Sequence, residues 1–300
     1  MKVFRDIYNS NSITLSRALF ALCFLVTLIF TPLYDLFPSQ HIKFLKDNIN
    51  GLNHLNIFLW FDNIIIPYII SIIVLIISII GIYPRIFIFF QSWISYSIYY
   101  SMLVTEGGDQ INVIITFLLI PVFIFDNRSN GWKIRNNINI EKPNNLYNNL
   151  LLYNAFLAIF FIKLQISILY LNAGISKIFA PEWSNGTAVY YWFYDPAFGA
   201  PYWFDYLFGF LFKNNLTVSL INWGVIILEL LLFSGLFIRQ KKKYILFLLG
   251  FLFHFMIVVV HGLPSFWISM TGCLVLYLFK LDLTVKQNLL NVRRVLTKIL

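Results

Sequence analysis

Lys177 stands near the end of LNAGISKIFAPEWSNG (171–186), where small residues precede the amine and Pro181, Glu182, Trp183 and Gly186 follow it. Lys163, Tyr170 and Lys177 recur every seven residues, so on a helix they share one face. Two readings of Lys177 follow. A lysine at a helix end can snorkel its ammonium to lipid headgroups. Ala173, Gly174 and Ser176 instead permit a neighbouring helix to come close and shut the amine away from lipid. An amine enclosed in that way could act in its neutral form as a base or nucleophile, which a snorkelled ammonium cannot.

Other candidates lie on the same side of the chain or at depth. His254 and His261 are also seven apart, which puts them on one helix face with His254 about 10 Å deeper. They suit either satisfied polar groups on an apolar face or a site. Neither has a carboxylate three or four residues on, so no metal set is expected. The EGGD turn (Glu106–Asp109) leaves Asp109 either to cap the next helix or to point into the site. Asp109, Tyr170, Glu182, Trp183, Tyr190 and His261 are the residues expected around Lys177 and His254. Lys163 and Glu229 sit deep in consecutive apolar runs. Each lies about 20 Å from the outer end of its run, so a buried Lys163–Glu229 ion pair is expected, as a device that fixes helix register or as part of a proton pathway.

These residues need helices to position them, and composition says where the helices lie. Of 300 residues, 59% are hydrophobic and 12% charged, with a mean hydropathy of +0.76. So much apolar surface excludes a soluble globular enzyme. The apolar runs are continuous rather than alternating, which excludes a β-barrel. The expected fold is all-α: a polytopic membrane protein of about eight transmembrane helices, over 13–31, 64–83, 86–104, 110–126, 150–179, 216–238, 244–261 and 264–280. It is read as one domain over 1–300, with a helical core of about 10–280 and a basic tail over 281–300. The first run is read as a retained helix rather than a cleaved leader.

With the N-terminus placed inside, sixteen Lys and Arg fall in inner segments and three, Lys43, Lys46 and Lys213, in outer ones. That bias puts both termini in the cytoplasm of a multi-pass plasma-membrane protein. It also accounts for the net charge of +9 without nucleic acid, and RQKKK (239–243) becomes a cytoplasmic turn. The lipid bilayer is the partner the composition demands. Cys23 and Cys273 lie mid-run, with no spacing for a disulfide framework or zinc. Two outer segments stand out. AVYYWFYDPAFGAPYWFDYLFGF (188–210) reads as short interfacial helices, either an aromatic belt or a lid over a pocket. Residues 41–63 have the spacing of an amphipathic helix, weakened at Gly51.

The segment LYLNAGISKIFAPEWSNGTAVYY (169–191) resembles the signature of the HTTM superfamily, the transmembrane domain shared with vitamin K-dependent γ-carboxylase. The EGGD turn and the histidine of LFHFM, His254, are similar to that pattern too. Within the superfamily, the size and SRALFALCFLVTLIFTP (16–32) look most like the sporulation-delaying protein B family, whose members are needed to mature an exported antimicrobial peptide. The resemblance implies that Lys177 matches the lysine thought to be the base in quinol oxidation, and that His254 lines the same region. The large luminal domain that holds a carboxylase substrate has no counterpart here, so carboxylation is not expected. Three functions follow. The first is a maturation factor for a secreted antimicrobial peptide, working on its precursor with a co-encoded partner. The second is a quinol-dependent enzyme, quinol being the only cofactor suggested. The third is a transporter or immunity protein.

Overall fold

The computed structural model describes Ile7, residues 10–134 and residues 146–297, with side chains of the last segment from residue 153 onward. Lys2, Arg5, Arg135, Lys142 and Lys298 of the charge bias lie outside the described residues. The described chain is all-α. Helix α1 (Ser12–Phe30) is followed by short α2 (Leu33–Leu36) and α3 (Ser39–Asp47), then α4 (Ile65–Ile80), α5 (Pro84–Ser101) and α6 (Gly107–Phe123). A long α7 (Leu146–Phe179) leads into three short helices, α8 (Pro181–Ser184), α9 (Ala188–Phe193) and α10 (Tyr202–Phe208). Helices α11 (Asn215–Phe233), α12 (Gln240–His261), α13 (Pro264–Leu278) and α14 (Val285–Leu296) complete the fold.

Each of the eight apolar runs forms a helix. Four of them, Ser12–Phe30, Tyr153–Phe179, Asn215–Leu236 and Gln240–His261, are long and apolar enough to cross a membrane. Ile65–Ile80, Gly107–Phe123 and Pro264–Leu278 are apolar but shorter. Their ends follow local chemistry. Pro84, Pro181 and Pro264 open α5, α8 and α13, where a missing N–H costs nothing. Gly262 takes the left-handed conformation at φ 67° that closes α12 and turns the chain straight into α13.

Helix α1 packs on α4 and α13, and α6 packs on α5, α7 and α13. The centre is apolar, built on Phe20, Ile115, Leu119, Cys273 and Leu274, all fully buried. A polar side chain within it finds a backbone partner: Asn112 donates to the Phe20 carbonyl at 2.8 Å. Arg17 is fully buried. It donates to the carbonyls of Ser78 (2.9 Å) and Pro84 (3.4 Å) and lies 5.1 Å over the Phe123 ring. Its charge thus meets, at Ser78, the C-terminal end of α4, where a cation is favoured. The bundle has two distinct ends. At the basic end, α1 starts beside the 126–133 loop and α14; Arg128 pairs with buried Asp126 at 2.6 Å and donates to the Ser10 carbonyl. At the opposite, aromatic end lie α8, α9 and α10.

The amphipathic helix expected over 41–63 stops at Asp47. Gly51, at φ 51°, begins two 3₁₀ turns (Gly51–Leu55 and Ile57–Leu59) instead. Their residues fold down on α5 rather than continuing along a surface: Trp93 donates to the Leu55 carbonyl and Asn56 donates to Ser101. The aromatic segment does form short helices. Phe193, Phe204, Phe212 and Val218 make a core of their own, with Phe193 and Phe212 stacked at 3.7 Å.

Candidate functional site

A cavity of about 780 Å³ lies beneath this aromatic cap, with walls from α6, α7, α11, α12 and the start of α13. Its volume falls in the range of ligand pockets, roughly 300–1,000 Å³. Most of the wall is aromatic or aliphatic. The polar groups on it are few: Glu106, Tyr170, Lys177, Glu229, His254 and His261.

Lys177 faces this cavity and is ion-paired. Its Nζ donates to both carboxylate oxygens of Glu229, at 2.8 and 2.9 Å, and lies 3.4 Å from the Ala173 carbonyl. The Trp183 ring stands 5.2 Å from the ammonium, within cation–π range. Side chains on a helix lean toward its N-terminus, so Lys177 reaches back one turn, away from its helix end. Gly174 makes the approach possible. A Cβ there would stand 2.8 Å from Leu230 and 3.7 Å from the Cβ of Glu229.

The expected Lys163–Glu229 pair is therefore not formed. Counting depth from the ends of two helices assumes that those ends are level, and here they are staggered. Asn222 and Ser219 donate to the carbonyls of Trp183 and Gly186, so the first turns of α11 run past the end of α7, alongside the chain that follows it. At its other end α11 stops level with Ser167, which donates to the Phe233 carbonyl. Glu229 is one turn above that point and Lys163 one turn below it. With 34 residues, α7 is about 51 Å long against a hydrocarbon core of about 30 Å, so the middle of its sequence is not the middle of the bundle. The charges acting on Lys163 come from Lys243 and Asp282, at the basic end.

A second polar pair stands deeper. The Tyr170 hydroxyl and His254 Nε2 are 2.9 Å apart, and both side chains are buried. His254 Nδ1 is buried without a partner among the described residues. At the aromatic end, His261 Nδ1 is 2.8 Å from the Phe198 carbonyl, which ties α12 to the cap. Seven-residue spacing thus places Tyr170 and Lys177 of α7, and His254 and His261 of α12, on the walls of one cavity.

Three expected residues lie elsewhere. Asp109 accepts from the Glu106 backbone N–H at 3.0 Å, closing a capping box, and is off the wall. Glu182 and Tyr190 are exposed and turned away, because α8 and α9 present Trp183 and Phe193 to the interior instead. The wall carboxylate from the EGGD turn is Glu106, which accepts from Ser265 at 2.7 Å. Burial, reinforced by nearby Asp109, pushes its carboxyl up to about 7 despite the opposing Ser265 hydrogen bond. An N-cap side chain stands outside its own helix and meets whatever abuts that end. The position in the motif was the available signal, and the identity of the neighbour, the start of α13, was not.

The described chain is thus an all-α membrane protein with a side-chain ion pair and a Tyr–His pair set into one apolar cavity. Among curated proteins, sporulation-delaying protein SdpB of Bacillus subtilis (strain 168) is 34% identical over 215 residues, which is 72% of this chain and 64% of that protein. Uncharacterized protein YitO of the same strain is 31% identical over 291 residues, 92% of this chain and 88% of its own length. The chain belongs to this SdpB-like family. The matched region spans slightly under two thirds of SdpB. No family model matches the chain, and no solved structure does.

Proposed function

We propose that this protein is a plasma-membrane factor for the maturation or export of a secreted antimicrobial peptide, acting in the cavity around Lys177. In this reading eight helices cross the bilayer, both termini are cytoplasmic and the aromatic end faces outward. The substrate is a hydrophobic segment of the peptide precursor, and a co-encoded protein works beside it. The observation that carries the reading is an apolar cavity, in a relative of SdpB, where the wall lysine is ion-paired to Glu229 and the Tyr170 hydroxyl meets His254 Nε2. An apolar segment fits the walls without leaving a buried charge unmatched, because Lys177 and Glu229 already neutralise each other. The Lys–Trp–Gly segment supports grouping the chain with HTTM proteins.

The test is peptide maturation in cells carrying the precursor. His254→Ala, and the stability-restored double variant Lys177→Met with Glu229→Leu, are expected to reach the membrane and to yield no active peptide. Normal maturation by both variants would leave the cavity without a role.

A second reading is favoured by one detail, the unpartnered Nδ1 of buried His254. Quinol hydroxyls need such acceptors, and the aromatic walls suit a flat ring, so the residues present fit a quinol. When bound, it would supply reducing equivalents. His254 Nδ1 would accept its hydrogen bond, Tyr170 would hold the His254 ring in orientation, and the aromatic cap would exclude water. Quinone retained through purification by the parent protein and lost in His254→Ala supports this reading; peptide maturation in a quinone-free strain refutes it.

A further inference from the structure

At the opposite, basic end, α14 carries a second recess that the cavity chemistry does not use. The helix is held firmly. Thr284 and Gln287 form a capping box at its start. Asn288, fully buried, donates to the carbonyls of Lys280 (2.9 Å), Leu283 and Thr284 (both 3.2 Å) and accepts from the Tyr244 hydroxyl at 2.9 Å. Asn11 accepts from the Val285 backbone N–H at 3.0 Å, which joins the helix to the start of α1. One face of α14 is therefore spent on the protein.

The other face is not. Lys286, Leu289, Leu290 and Arg293, at i, i+3, i+4 and i+7, line one side of an open groove of about 510 Å³, with Trp132 on its wall. Trp132 is fixed there by its Nε1, which donates to the Ile79 carbonyl at 2.9 Å. Leu289 and Leu290 remain 51% and 42% exposed. Neither Lys286 nor Arg293 forms an ion pair with a described residue. A rigid groove thus has an apolar floor and two unneutralised cations about 10 Å apart along the helix.

We propose that this groove binds an anionic phospholipid, its phosphate held by Lys286 and Arg293 and an acyl chain laid along Leu289, Leu290 and Trp132. The charge complementarity selects the occupant. An apolar peptide would leave both cations unmatched, and a soluble phosphate would leave the leucines wet. The position agrees, because a basic amphipathic helix at the end of a membrane bundle lies at headgroup depth. The groove takes its lipid whatever the other cavity does.

Native mass spectrometry and thermal unfolding of the full chain in mixed micelles test it. Phosphatidylglycerol is expected to be retained and to raise the unfolding midpoint; phosphatidylcholine and inorganic phosphate are not. Lys286→Gln with Arg293→Gln is expected to weaken phosphatidylglycerol binding roughly 30-fold while the lipid-free midpoint stays in place. Lys241→Gln with Lys242→Gln removes the same net charge elsewhere at this end and is expected to leave the binding intact. Equal loss in both double variants, equal stabilisation by phosphatidylcholine, or full reproduction by inorganic phosphate would overturn the proposal. If the first pair misfolds, Leu290→Gln serves in its place, with weakened lipid retention expected and unchanged retention counting against the groove.

Discussion

Breaking the Lys177–Glu229 pair from either side should not cost the same. Removing one partner of a buried pair typically costs about 3–5 kcal/mol, because the other charge is left without compensation. Lys177→Met strands Glu229, whose side chain is only 8% exposed and whose carboxylate oxygens both rely on the Lys177 ammonium. We expect the full range there, about 3–5 kcal/mol. Glu229→Gln strands Lys177, which is 21% exposed and keeps the Ala173 carbonyl and the Trp183 ring. We expect about 2 kcal/mol, the cation–π contact retaining about 1 kcal/mol. Lys177→Met with Glu229→Leu should return to within about 1 kcal/mol of the parent, since apolar replacement of a buried pair is close to neutral. The assay is equilibrium unfolding in detergent, read as a double-mutant cycle, beside peptide maturation in cells. The restored double variant should remain inactive, which separates stability from function. Lys163→Met combined with Glu229→Gln should be additive. A coupling below about 0.5 kcal/mol for Lys177 with Glu229, or a larger one for Lys163 with Glu229, would refute this register of α11 along α7.

Tyr170→Phe leaves His254 Nε2 buried and unbonded, and should cost about 1–3 kcal/mol by unfolding and impair maturation. Glu106 gives a pH signature. Its carboxyl is raised from 4.5 to about 7 in the fold, so the folded state holds the proton more tightly than the unfolded chain. Its contribution to stability is complete below about 4.5 and is lost as pH rises through about 7; Glu106→Gln should flatten that decline in pH-dependent unfolding. Gly174→Leu should push α7 off Leu230 and cost about 1–3 kcal/mol, whereas Gly224→Ala, which meets open space, should be nearly silent by the same measurement.

Much of this protein was legible from local rules. A run of apolar residues must satisfy its backbone internally, so eight runs gave eight helices, ended by Pro84, Pro264 and Gly262 where local geometry requires. Seven-residue spacing put Tyr170 with Lys177, and His254 with His261, because helical periodicity is a property of one segment alone. The aromatic density of 188–210 was enough to expect short helices at one end.

Partnership between segments was decided only by the tertiary structure. Which lysine meets Glu229 depends on how far α11 slides along α7, and that stagger is set by Gly174 against Leu230 and by Asn222 on the Trp183 carbonyl. Those contacts involve residues more than 35 positions apart, and no periodicity within either helix encodes them. The same holds for Glu106, turned to the cavity because α13 happens to begin beside it with Ser265. It also holds for residues 51–59, drawn down on α5 by Trp93 and Asn56. Helix identity is a local free-energy minimum; the register between helices is a sum over contacts that exist only once the chain has closed.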